Sequence, residues 1–189
     1  MVLTDFIDIV KNNPEKLFEE GEINTYIPLS RKVAACDVAI HGDDDMPQFL
    51  TVLDETGYAT SDTVSKMLFL TQMLLMEYYH VDLSTFGTEE YDLLYSEGII
   101  AKIDRLADRG SNSKYKKIVC AIQDDFRTFE KMLNRELANE LSRLNDPYKR
   151  ILQRMEDDTT PEAMQNGVSE LKAVLDEIEK HKLTKNDVN

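Results

Sequence analysis

The sequence predicts an all-α protein: an irregular helical bundle with one long helix and a C-terminal helical hairpin or arm. Two observations carry this. Apolar residues recur near the helical spacing of 3.6 in four separate segments. Helix breakers are also scarce, with seven glycines and five prolines in 189 residues. At least six helices are expected, with under roughly a tenth of the chain in strands against a usual 20–25%.

Thr4 is placed to cap a first helix through Val10, with Leu3, Phe6, Ile7 and Val10 on one side. Asn12-Asn13-Pro14 ends it, and Pro14 opens a further turn through Glu20 that Gly21 closes. Ile27 precedes Pro28 and is pushed towards extended geometry. A third helix follows from about Leu29 to Ile40, burying Val33, Cys36, Ala39 and Ile40. His41 to Pro47 reads as a loop, and Phe49 to Ala59 as either a short helix or an irregular strand. From Asp62 to about Tyr79 apolar side chains surround much of the circumference, which marks a central helix. Thr88 is an N-cap for Glu89 to Glu97, and Gly98 suits the C′ position. Ile99, Ile100, Ile103 and Leu106 begin another helix, ending at Gly110.

The longest helix is expected from after Ser113 to about Asn145. Its apolar positions are Tyr115, Ile118, Ile122, Phe126, Phe129, Leu133, Leu137, Leu141 and Leu144, the pattern of a straight amphipathic helix on a globular core. Asp146-Pro147 breaks it, because proline lacks the N–H and crowds the preceding turn. Tyr148, Ile151, Leu152 and Met155 continue on one face. Asp157 to Pro161 is the clearest boundary, with Thr160 as N-cap and Pro161 at the first helical position. The expected organisation is therefore a helical domain over 1–158 and an amphipathic helix with a frayed tail over 159–189. Met164, Val168, Leu171, Leu175 and Ile178 form a narrow heptad stripe on that last helix. The stripe must find a partner surface to stay ordered, either Tyr148 to Met155 of its own chain or another chain.

Charge narrows the function. The chain carries −14, and residues 1–113 hold −13 of it. Nucleic-acid binding runs on phosphate neutralisation by Lys and Arg, so those residues are unsuited to it. The two cysteines, Cys36 and Cys120, lie apart within helical apolar patterns and read as buried free thiols of a reducing compartment. The N-terminus has no basic stretch and meets acid at once, and the most apolar window, Met67 to Met76, is too short and polar to span a bilayer. A soluble cytosolic protein is expected.

Chemistry-bearing motifs are few. His41-Gly42-Asp43-Asp44-Asp45 gathers oxygen ligands, but its acids lack the alternation and closing glutamate of a calcium loop. It reads as a solvated acidic loop rather than a cation site. His41, His80 and His181 stand alone, and no nucleophile, phosphate-loop or dinucleotide motif occurs. No catalytic, cofactor or metal residue is assigned, and no small-molecule substrate. Tyrosines offer contact area with a polar tip. Tyr91 and Tyr95 are therefore interaction candidates beside the stripe, with core packing as the alternative.

Tyr26-Ile27-Pro28-Leu29-Ser30-Arg31-Lys32-Val33, Tyr78-Tyr79-His80-Val81-Asp82 and Tyr91 to Ile100 form a further pattern. A Tyr-Ile-Pro entry precedes an apolar helix ending in Tyr-x-x-x-Asp, then a Tyr-Asp-x-Leu turn with a Gly-Ile-Ile exit. Over residues 26–106 this resembles small all-α proteins of unassigned activity encoded among the head and tail structural genes of tailed phages. The resemblance implies a virion or assembly component, in the host cytoplasm or incorporated in a particle. It implies protein partners or self-association, while the polar-interrupted window from Met67 to Met76 argues against a membrane partner. The other reading the charge supports is a small acidic regulator occupying a basic groove on a partner protein.

Overall fold

The computed structural model describes residues 1–20, 22–44, 47–55, 57–83, 86–108 and 114–186. Among these residues it is all-α, 73% helical and 5% strand. The order is α1 (Leu3–Asn12), α2 (Lys16–Glu20), α3 (Leu29–His41), β1 (Thr51–Leu53), β2 (Ala59–Ser61), α4 (Thr63–Met73), a π-helical turn (Leu74–Tyr78), α5 (Thr88–Ser96), α6 (Ile99–Asp108), α7 (Lys114–Leu144), α8 (Pro147–Asp157) and α9 (Pro161–Asn186). Of the two readings of Phe49 to Ala59 the structure favours strand over helix, with β1 and β2 pairing as a small two-stranded sheet. Compact contacts divide the chain into Met1–Val52 with Ser61–Leu137, and Leu53–Thr60 with Ala138–Asn189.

In the first unit the core gathers Phe6, Ile7 and Val10 of α1, Leu75, Tyr78 and Tyr79, Leu94 of α5, Ile99, Ile103 and Leu106 of α6, and Val119 and Ile122 of α7. The apolar helix from Asp62 is thus central only in its second half. Val64 and Met67 are 56% and 44% exposed. Asp62 caps that helix through its side chain, accepting from the Val64 and Ser65 N–H groups. Two other caps differ from expectation by a residue or two. Thr4 lies inside α1, whose N-cap is Val2, and Gly87 rather than Thr88 precedes α5, with Glu90 Oε2 accepting the Gly87 N–H at 2.9 Å. Gly98 follows α5 at φ +62, the left-handed value that a C′ glycine adopts without strain.

The turn Leu74–Tyr78 is wound wider than an α-helix, and partners outside the helix take its last carbonyls. Asn24 donates its backbone N–H to Tyr78 O at 3.0 Å and its side-chain amide to Glu77 O at 2.9 Å. Val81 N–H then turns back to Leu75 O, with His80 between them at φ +50. This delivers Tyr78, fully buried, to Asp125 on α7.

Asp125 organises the segment that enters α3. Its carboxylate accepts from the Ile27 N–H (2.9 Å), the Tyr78 hydroxyl (2.9 Å) and Lys32 Nζ (2.5 Å), while Lys32 also lies over the Tyr26 ring. Burial raises the Asp125 pKa, but the bonds from Lys32, Ile27 and Tyr78 outweigh it and hold the carboxyl below its ordinary value. Burial, then the facing Asp125, pushes the Tyr78 hydroxyl up. Here the sequence reading of α3 needs correcting. Val33 is 52% exposed and Lys32 is 3% exposed, so the buried face is Lys32, Cys36, Ala39 and Ile40. A lysine joins an apolar face because its ammonium has a carboxylate to meet.

In the second unit, α8 and α9 pack together with the turn 53–60. Asn145, just past α7, clamps that turn: its side-chain oxygen accepts the Ala59 N–H at 2.8 Å and its amide donates to Ala59 O at 2.7 Å. Arg150 of α8 stacks on the Tyr58 ring at 3.9 Å. Helix α9 runs to Asn186, past Lys182 where a frayed tail was expected.

Candidate interaction surface

Each turn of the α8–α9 hairpin is dictated locally. Asp146 accepts the Tyr148 N–H at 3.0 Å, and Pro147 fills the first helical position, where no donor is needed. Asp158 ends α8, its backbone N–H reaching Arg154 O, and its carboxylate accepts the Thr160 N–H at 3.0 Å. That bond, then one from the Thr160 hydroxyl, lowers the Asp158 carboxyl from its ordinary value. Met164 N–H closes the first turn of α9 on Thr160 O. With only Asp158 to Thr160 between them, the two helices must run antiparallel.

The helices meet at Gly167, which is buried. A Cβ there would overlap Met155 Cγ and Sδ, so glycine sits mid-helix because the backbones approach too closely for a side chain. Arg154 donates to Glu170 at 2.5 Å beside it. A groove of about 370 Å³ follows the seam, lined among others by Ile151, Met155, Ala163, Gly167 and Glu170.

The seam is not the predicted stripe. Met164, Val168 and Leu175 are 42%, 44% and 49% exposed, Leu171 is half-buried, and the Ile178 side chain lies outside the described residues. On α8, Ile151 is buried and Met155 half-buried, whereas Tyr148 and Leu152 are 41% and 40% exposed. The last helix therefore docks on its own chain through a face rotated away from its heptad seam, and most of the seam is left on the surface. Gly167 was the available signal: a glycine midway along a helix that otherwise avoids breakers.

Tyr91 and Tyr95 belong to the other unit. Their rings stack at 4.3 Å on α5, and Tyr95 is half exposed over a groove of about 290 Å³ whose floor includes Leu74, Ile103 and Phe126. Burial, then the Tyr95 hydroxyl, raises the Tyr91 pKa. Gln123 donates to Asp104 at 2.9 Å on the rim. Asp43 and Asp44 are exposed after α3, and Asp45 lies outside the described residues. Among the described residues no three His, Cys, Asp or Glu side chains gather closely enough to hold a metal ion. Burial, and then the charge of Glu136, pushes the Cys36 thiol up to about 11, away from the thiolate a nucleophile needs. No helix among the described residues is long and apolar enough to cross a membrane.

Compared with protein-family models, with curated proteins and with solved structures, the chain matches none.

Proposed function

We propose that this chain is a non-enzymatic interaction protein that acts in assembly through its C-terminal hairpin. The observation that carries the reading is the exposed stripe of Met164, Val168 and Leu175 beside exposed Tyr148 and Leu152. Large apolar side chains gathered on one surface mark contact sites, whereas singly scattered ones need no explanation. The setting in a phage particle or its assembly rests on the resemblance of residues 26–106 alone. Mass spectrometry of purified particles and assembly intermediates tests it: the chain should be present, and Val168→Asp with Leu175→Asp should remove it while leaving the isolated protein folded. Absence of the wild-type chain from both, with normal particles formed in a deletion strain, would overturn the assembly role.

The acidic-regulator reading draws on a different observation, the −13 carried by residues 1–113. Its mark is ionic-strength-dependent binding to a basic protein that survives the hairpin substitutions.

A further inference from the structure

We infer that the partner covering the open face of the α8–α9 hairpin is a second copy of the chain, two hairpins closing into a four-helix bundle. This rests on the reading of the chain as an interaction protein and names the surface and its occupant.

Helical phase comes first. At 100° per residue, Leu152 lies about 60–100° from the α8 residues at the seam, Ile151 and Met155, and Tyr148 about 20–60° from them on the same side. Met164, Val168 and Leu175 are displaced by a similar angle, roughly 60–100°, from Gly167 on α9. In an antiparallel pair the two rotations carry both sets to the same side. The contacts of Met155 with Gly167 and of Arg154 with Glu170 set the register. They place Leu152 level with Leu171 and Tyr148 level with Leu175. Five exposed large apolar side chains thus form one face, two helices wide, with half-buried Leu171 between them.

An antiparallel hairpin is half of an up-down bundle. A two-fold rotation about an axis parallel to its helices sets each α8 over the other copy's α9, again antiparallel, so every neighbouring pair has the orientation found in such bundles. The contact is isologous: the α8 half of the face meets the α9 half of its copy, and the reverse. Area agrees. The five side chains expose on the order of 450 Å² per copy, or roughly 900 Å² over two, before any rim residue is counted, against a floor of about 1,000 Å² for a specific interface. Charge agrees as well. Residues 114–189, which hold α8 and α9, carry 15 acids and 14 bases, so two copies of this part meet without the mutual repulsion that the acidic first 113 residues would impose.

Sedimentation equilibrium of the full chain from about 1 to 100 μM tests this, that range bracketing the ~8 kcal/mol of a micromolar dimer. The wild type should reach twice the monomer mass. Leu152→Lys with Val168→Lys, both at exposed positions, should stay monomeric throughout, with the wild-type circular dichroism and the wild-type melting temperature at the lowest concentration. A wild type that is monomeric at every concentration overturns the inference. So does a double variant that still dimerises, or one that melts lower than the wild type as a dilute monomer, since the face is then covered within the chain. A monomeric wild type whose double variant is lost from particles defeats the second copy and leaves the assembly role standing. A dimer abolished by the double variant with normal particle incorporation supports the second copy and removes the hairpin from assembly.

Discussion

Replacing Asp125 by asparagine tests whether the fold of the first unit hangs on one carboxylate. Asp125 accepts three hydrogen bonds, from Lys32, Ile27 and Tyr78, and the paired side chains of Lys32 and Asp125 are only 4% and 11% exposed. Removing the charge leaves an ammonium buried without its counter-ion, a loss of about 3–5 kcal/mol. Asparagine keeps one oxygen and so retains part of the bonding to Ile27 or Tyr78, worth roughly 1 kcal/mol. The expected net loss is about 3 kcal/mol, read as a lower urea midpoint with little change in slope. Lys32→Met in the Asp125→Asn background should recover much of it, because the stranded ammonium is then gone. The pH dependence follows from the depressed carboxyl. Its folded-state pKa lies below the unfolded value of about 3.9, so the stability it contributes is complete above that value and is lost as pH falls through the folded one. The wild type should therefore weaken more steeply below about pH 4 than the asparagine variant. A loss under about 1 kcal/mol, the worth of an exposed ion pair, with an unaltered acid limb would refute the reasoning.

Other perturbations separate the remaining contacts. Gly167→Leu should destabilise the hairpin by about 1–3 kcal/mol through overlap with Met155, and Met155→Ala in the same chain should restore part of it, both measured by denaturant melts. Asn145→Ala removes both bonds to Ala59 at a cost of about 1–2 kcal/mol, and hydrogen exchange should quicken at Gly57 to Ala59 before it does in α8. Magnesium or calcium should leave the melting temperature unchanged beyond ordinary screening, and triple alanine replacement of Asp43, Asp44 and Asp45 should not alter that response. A rise at micromolar cation that the triple variant abolishes would make the loop a cation site.

Helix boundaries were legible wherever backbone chemistry is local. Asp146-Pro147, Thr160-Pro161 and Gly98 act within a few residues of themselves, and the structure places a break, a helix start and a left-handed C′ residue there. Features set by distant partners were not legible. Nothing in the run from Val64 to Tyr79 announces a π turn, and the bonds that hold its end come from Asn24, 53 residues from Glu77. Lys32 was passed over in favour of Val33 because the apolar count favours valine, and the reason to bury the lysine lies 93 residues away at Asp125. The small sheet was ambiguous for the same reason, since strand pairing is settled by a neighbour and not by the strand alone.

The last helix shows what a periodic pattern does and does not determine. Met164, Val168, Leu171 and Leu175 mark the apolar seam correctly as a direction on the helix, but intrachain docking is decided by how closely two backbones can approach. That favours the face carrying Ala163 and Gly167, because small residues admit a neighbouring helix and larger ones hold it off. The two criteria select faces displaced by about a quarter turn, so the small-residue face folds back on α8 while the large-residue face stays largely outside. If the stripe were a core seam, α8 would cover it and expose the glycine. The opposite holds, with Gly167 buried and Val168 beside it 44% exposed.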